Sequence, residues 1–206
     1  YFKLGGNMKK IVLAVLLTLC FSNAFAGIDE GIDAGTKNLF VYGGSAYPYA
    51  LELNGIETEY GSLGYAFGAQ FVYNSKDWLG LGLDFNYSKA DDNLTSTGDT
   101  TKSQMWTGMF MMKIYLYPEE GVRFYLPLYG GFGNAKISSS GTTNLNSTET
   151  GLAAGTGLGI DFDLNDMWIL GVEFRFTRMF IDSFGANKLN NDFDYSNGLI
   201  KLGYKF

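Results

Sequence analysis

The chain has no histidine, one cysteine and three prolines in 206 residues. Without histidine, neither a Ser-His-Asp arrangement nor a His-based metal site can be assembled. Its 15 Lys and Arg are outnumbered by 21 Asp and Glu, which opposes nucleic-acid binding, since that needs a basic footprint. Past residue 26 no apolar run reaches eighteen residues, so no transmembrane helix is available. No EF-hand spacing occurs, and the acidic groups Asp91-Asp92 with Asp99 and Asp192-Phe193-Asp194 read as solvated loop charge. Gly155-x-Gly157-x-Gly159 has no helix pattern after it and is no nucleotide fingerprint. No cofactor, metal or catalytic residue is expected, and the chain reads as non-enzymatic.

The front of the chain is an export signal. Met8-Lys9-Lys10 is a short basic start, Ile11 to Phe21 an apolar run, and Ala24 and Ala26 fill the −3 and −1 positions of a cleavage site. The apolar run is too short to span a bilayer. Residues 1–7 (YFKLGGN) fit no signal-peptide design and read as untranslated leader. This divides the chain into a leader at 1–7, a signal peptide at 8–26 and one domain at 27–206. Cleavage removes Cys20, so the mature chain has no disulfide and no thiol chemistry. Lys3, Lys9 and Lys10 leave too, so 12 of the 15 basic residues face 21 acidic ones, a formal charge of −9.

Glycine is abundant at 28 and aromatics reach 17%, and period-two alternation recurs eight times. The strands are read at Asn38–Ala50, Tyr60–Tyr73, Trp78–Ser88, Met105–Tyr117, Val122–Ala135, Gly151–Leu164, Trp168–Phe180 and Asn197–Phe206. The third is cleanest, with Leu79, Leu81, Leu83, Phe85 and Tyr87 opposite Gly80, Gly82, Asp84, Asn86 and Ser88. Gly43-Gly44 and Pro48 leave the facing of the first open. Connections alternate between short turns (Asn74–Asp77, Pro118–Gly121, Asn165–Met167) and longer polar stretches (Leu51–Glu59, Lys89–Gln104, Ile137–Thr150, Ile181–Ser196). The polar face is dominated by small residues with isolated charges, which suits the inside of a narrow barrel, whereas a soluble exterior would carry long charged side chains. Leu, Phe and Tyr on the other face suit lipid, and Trp106, Trp168, Tyr73, Tyr204 and Phe206 stand near strand ends as interfacial girdles do.

The last strand, NGLIKLGYKF, sets Gly198, Ile200, Leu202, Tyr204 and Phe206 against Asn197, Leu199, Lys201, Gly203 and Lys205. With its Tyr204-x-Phe206 ending it resembles the terminal strand of bacterial outer-membrane barrels, and the mature chain as a whole resembles the small OmpA/OmpX-type barrels. The resemblance implies an all-β, eight-stranded antiparallel up-and-down transmembrane barrel in the outer membrane of a Gram-negative bacterium. It also implies that Tyr204 and Phe206 are read by the barrel-insertion machinery, and that the barrel is monomeric among outer-membrane lipid and lipopolysaccharide. Eight strands enclose a space that side chains just fill. Asp84, Lys113, Arg123, Asp161, Asp163, Glu173, Arg175, Lys201 and Lys205 all fall on its inward face, where charges must pair or find water. A register-fixing salt-bridge plug is expected, with a polar ion path as the alternative. Glu173 and Arg175, two apart on one face, are each expected to find partners on neighbouring strands. The polar loops, above all Lys89–Gln104 and Ile181–Ser196, are expected to contact the environment, a host surface or neighbouring cells. Rival readings are a narrow channel for ions or very small solutes, and a hydrophobe-handling barrel using a Met105, Met109 and Met111 cluster.

Overall fold

The computed structural model describes residues 34–53, 56–58, 63–94, 99–119, 121–140, 145–181 and 191–206. The leader, the signal peptide with Ala24 and Ala26, and residues 59–62, where the second strand was expected to start, lie outside them. Among the described residues no helix is long and apolar enough to cross a membrane, a statement that does not bear on strands.

The described residues form nine strands: β1 (Lys37–Leu53), β2 (Ile56–Thr58), β3 (Gly64–Lys76), β4 (Leu79–Leu94), β5 (Asp99–Glu119), β6 (Val122–Ser140), β7 (Leu145–Asp163), β8 (Trp168–Ile181) and β9 (Asn191–Lys205). β2 is a three-residue return on the end of β1, from Leu51↔Thr58 to Leu53↔Ile56. The other eight pair antiparallel in chain order, and β9 returns to β1 from Asn38↔Lys205 to Leu51↔Phe193, with a bulge between Pro48 and Ala50. The expected closure of the last strand on the first is therefore present. The seam is tied at its end by Lys37 N–H to Phe206 O at 3.0 Å and Phe206 N–H to Lys37 O at 2.9 Å. A closed sheet leaves no edge to face lipid.

Alternation decides the two faces. Along β8 every second residue from Ile169 to Ile181 is buried. On β4 the outward Phe85 is 63% exposed and the inward Asp84 not at all. The first strand's facing is now settled: Asn38, Phe40, Tyr42 and Ala46 point in, Leu39 and Val41 out. Outward Phe85, Gly108, Phe132, Leu152 and Phe180 form one ladder row across β4 to β8. Trp168, Tyr204 and Phe206 gather at one end, with ring centroids 5.4 Å apart for Trp168–Tyr204 and 6.2 Å for Tyr204–Phe206. From outward Trp106 to outward Leu116, ten residues of tilted strand cover roughly 25 Å of height, the thickness of a lipid-facing apolar band.

The two ends differ. At the Trp168 end the connections are tight: Gly121 has φ +88° at one turn, and Asn165 Oδ1 accepts from the N–H groups of Met167 and Trp168, both at 2.9 Å. The other end corrects the sequence reading. Lys89–Gln104 was expected to be a loop, yet the β4–β5 ladder runs without interruption from Lys89↔Gln104 to Leu94↔Asp99. The β6–β7 ladder likewise continues to Ser139↔Leu145, and β8–β9 to Ile181↔Asn191. Ser, Thr and Asn read as loop by composition, but two antiparallel arms already in register keep satisfying each other's backbone groups whatever their side chains. What remains of each expected loop, residues 95–98, 141–144 and 182–190, lies outside the described residues.

Candidate functional site: the lumen

One connected polar network draws a side chain from each of the eight barrel strands. At its centre Arg175 (β8) donates to both oxygens of Asp84 (β4), Nη1 to Oδ2 at 2.9 Å and Nη2 to Oδ1 at 3.1 Å. It also donates to Glu173 Oε1 at 2.9 Å and to the Tyr129 hydroxyl (β6) at 2.9 Å. Tyr42 (β1) donates to Asp84 Oδ1 at 3.0 Å, and Gln70 (β3) donates to Tyr129 at 3.2 Å. Glu173 accepts from Tyr129 at 2.5 Å, from Tyr125 at 2.9 Å and from Lys201 (β9) at 3.1 Å. Lys201 also donates to the Tyr125 hydroxyl and lies 3.4 Å from Asp161 (β7). Lys113 (β5) donates to Asp161 Oδ2 at 3.0 Å and sits 4.1 Å from the Tyr125 ring centroid and 4.5 Å from that of Phe40. Such pairing, with aromatic faces beside the ammonium groups, is what a charge withdrawn from water requires.

Of the nine charges placed inside by sequence, Asp84, Lys113, Asp161, Glu173, Arg175 and Lys201 meet in this network. The other three gather at the Trp168 end, where Arg123 pairs with Asp163 and Lys205 lies 3.5 Å from it; Asp163 and Lys205 are part-exposed. One expectation fails in its detail. Glu173 meets Lys201 on neighbouring β9, but Arg175 reaches across the lumen to Asp84 on β4, Tyr129 on β6 and Tyr42 on β1, none of them beside β8. The two also bond to each other along β8, because the long guanidinium stem folds back over one pleat to the carboxylate. Phe40 and Tyr42 were missed by the sequence reading. Alternation puts Gln70, Tyr125 and Tyr129 on the polar face, where they had been given no role; a tyrosine on a face of small residues was the available signal.

Apolar side chains fill the lumen on either side of the network. Toward the long hairpins Met105, Ile137, Met179, Ile181, Phe193 and Tyr195 pack together, and Tyr195 shares a 2.7 Å hydrogen bond with Ser103. Met109 and Met111 belong to a different cluster, with Phe40, Val72 and Ile169, so the three methionines form no single group. Asp194, of an acidic cluster read as solvated, is buried and accepts from Arg178 at 2.8 and 2.6 Å. Among the described residues no group of three or more acidic side chains gathers as a metal site would.

A closed barrel with an apolar exterior, aromatic ends and a polar, filled interior defines a transmembrane β-barrel. Residues 11–206 match the family described as the Outer membrane protein beta-barrel domain, and the chain belongs to that family, which lives in the Gram-negative outer membrane. Its fold is similar to that of Neisserial surface protein A (TM-score 0.54, 15% identity, 84% of this chain and 99% of that one). Ail, the attachment invasion locus protein of Yersinia pestis, aligns at 15% identity and TM-score 0.47, over 84% of this chain and 99% of that one. Escherichia coli Outer Membrane Protein W aligns at 17% identity and TM-score 0.44, over 85% and 100%. No curated protein matches the chain in sequence.

Proposed function

We propose that this is a non-enzymatic surface protein, exported by its signal peptide, whose barrel is an anchor and whose long hairpins make contact with a host surface or neighbouring cells. The carrying observation is the continuation of the β4–β5 and β6–β7 ladders beyond the Trp106 row, for instance six residue pairs from Lys89↔Gln104 to Leu94↔Asp99, or about 17 Å of paired strand. Such arms carry paired backbone past the aromatic row, which free loops would not. The lumen carboxylates are already engaged by cations, and the chain has no histidine, which supports a structural interior over a catalytic one. The test is adherence of cells bearing the intact protein against cells bearing one whose β6–β7 and β8–β9 hairpins are cut back to Ala135–Gly151 and Met179–Phe193. Reduced adherence at equal surface amount is expected; unchanged adherence defeats the reading.

A second reading, a narrow ion path, is favoured by buried oxygens without a hydrogen-bond partner on Gln70, Asn86, Thr107, Thr177 and Asn197, groups that water would satisfy. Planar-bilayer recording of the refolded mature protein separates the two. A silent barrel is expected. Steady openings abolished by changing Lys113 or Glu173 would establish the path instead.

A further inference from the structure

Outward on β3, β4 and β5, the rings of Tyr65, Phe67, Tyr87 and Trp106 form a continuous plate. Centroids are 4.4 Å apart for Tyr87–Trp106, 5.0 Å for Phe67–Tyr87 and 6.1 Å for Tyr65–Tyr87. The adjacent ladder row, on the hairpin side, is Tyr65–Lys89–Gln104–Lys136, and the next includes Asp91–Lys102–Ser138. Lys89 and Lys136 are thus two strands apart, about 10 Å, with Lys102 one pleat above the residue between them. Among the described residues, the only ion pair in the patch joins Lys89 to Asp91 at 3.3 Å, both part-exposed. Lys102 and Lys136 are exposed and pair with no carboxylate among the described residues.

In a chain of formal charge −6 this concentration is selective. The other described outward cation of the hairpin half, Arg178, is held by both oxygens of Asp194. Aromatic belts lie at headgroup depth, so these lysines stand among headgroup phosphates. The rings offer flat faces to sugars, and the ammonium groups offer point charges to phosphate. A phospholipid without sugar engages the lysines alone.

The geometry points to a binding site for a phosphorylated glycolipid of the outer leaflet, with its phosphates on Lys89, Lys102 and Lys136 and its sugar against Tyr87 and Trp106. This rests on the reading that the long hairpins face outward.

The test uses refolded mature protein in phosphatidylcholine vesicles doped with purified lipopolysaccharide, and counts lipid retained after detergent extraction by native mass spectrometry. Retention is expected to fall at least about tenfold in K89Q/K102Q/K136Q, as loss of several interfacial lysines implies, and to be unaffected in K37Q/K76Q at the other end. Dephosphorylated lipopolysaccharide, tested on the unaltered protein, is expected to be retained as weakly as by the triple variant, and this arm stands even if that variant fails to refold. Equal retention of phosphatidylglycerol would overturn the site in favour of unspecific charge. Retention indifferent to phosphate, or to the triple change in a folded variant, would overturn it outright. Loss confined to K37Q/K76Q would instead overturn the assigned orientation.

Discussion

Replacing Arg175 by methionine probes the network at its most connected point. Asp84, fully buried, would lose both guanidinium bonds and keep only the Tyr42 hydroxyl at 3.0 Å. Glu173 would fare better, because Lys201, Tyr125 and Tyr129 remain. The loss is therefore chiefly that of one uncompensated carboxylate, about 3–5 kcal/mol. Asp84→Asn is milder, about 1–3 kcal/mol, since Arg175 retains the Glu173 carboxylate. The double variant R175M/D84N removes both charges, so its cost should fall well below the sum of the singles, with a coupling of about 2 kcal/mol or more. Urea titration of protein refolded in vesicles, followed by tryptophan fluorescence and by the heat-modifiable gel band, gives all three values. Additivity within about 0.5 kcal/mol would refute the reasoning, as would a single R175M loss below about 1 kcal/mol.

Two further substitutions test the faces. Leu83, outward at 40% exposure and four residues along β4 from Tyr87, lies near the midplane of the apolar band and should cost about 2–4 kcal/mol as L83R; a loss under about 0.5 kcal/mol in the same titration would place that row outside the bilayer. A Cβ at Gly159 would stand 2.1 Å from the Tyr125 ring, so G159A should displace that tyrosine from Glu173 and cost about 2–4 kcal/mol. The same change made beside Tyr125→Leu should be far milder, and full cost in that background would show that the glycine acts through something else.

What could be read from the sequence was governed by period two. Alternation assigns a residue to a face, and it placed Asp84, Lys113, Glu173 and Lys201 inside without any knowledge of their partners. It carries nothing about azimuth, which depends on how the sheet staggers as it closes. Hence the Arg175–Asp84 pair, 91 residues apart in sequence, was beyond reach. The first strand failed locally for another reason. Inward Phe40 and Tyr42 are as apolar as outward Leu39 and Val41, so no contrast marks the pleat until Phe40 is seen beside the Lys113 and Lys201 ammonium groups. Composition, used to end strands, misplaced the hairpin arms, because ladder pairing needs backbone groups and not greasy side chains.

The network also bears on how the barrel chooses its seam. Backbone hydrogen bonds between β1 and β9 are nearly as numerous if β9 slides by one residue, so the ladder itself specifies register poorly. Such a slip turns every side chain to the opposite face. Lys201 would enter lipid, at about 2–4 kcal/mol, while Glu173 and Asp161 would each lose a cation that they now hold at 3.1 and 3.4 Å. Ile200, Leu202 and Tyr204, now outward, would be forced into a lumen already filled by Phe40 and Tyr125. The interior charges and the lipid-facing side chains therefore penalise the same error from both sides of one strand. A salt-bridge network that adds little net stability over a packed apolar core can still decide which closure is reached, and here it contacts every strand whose slippage would matter.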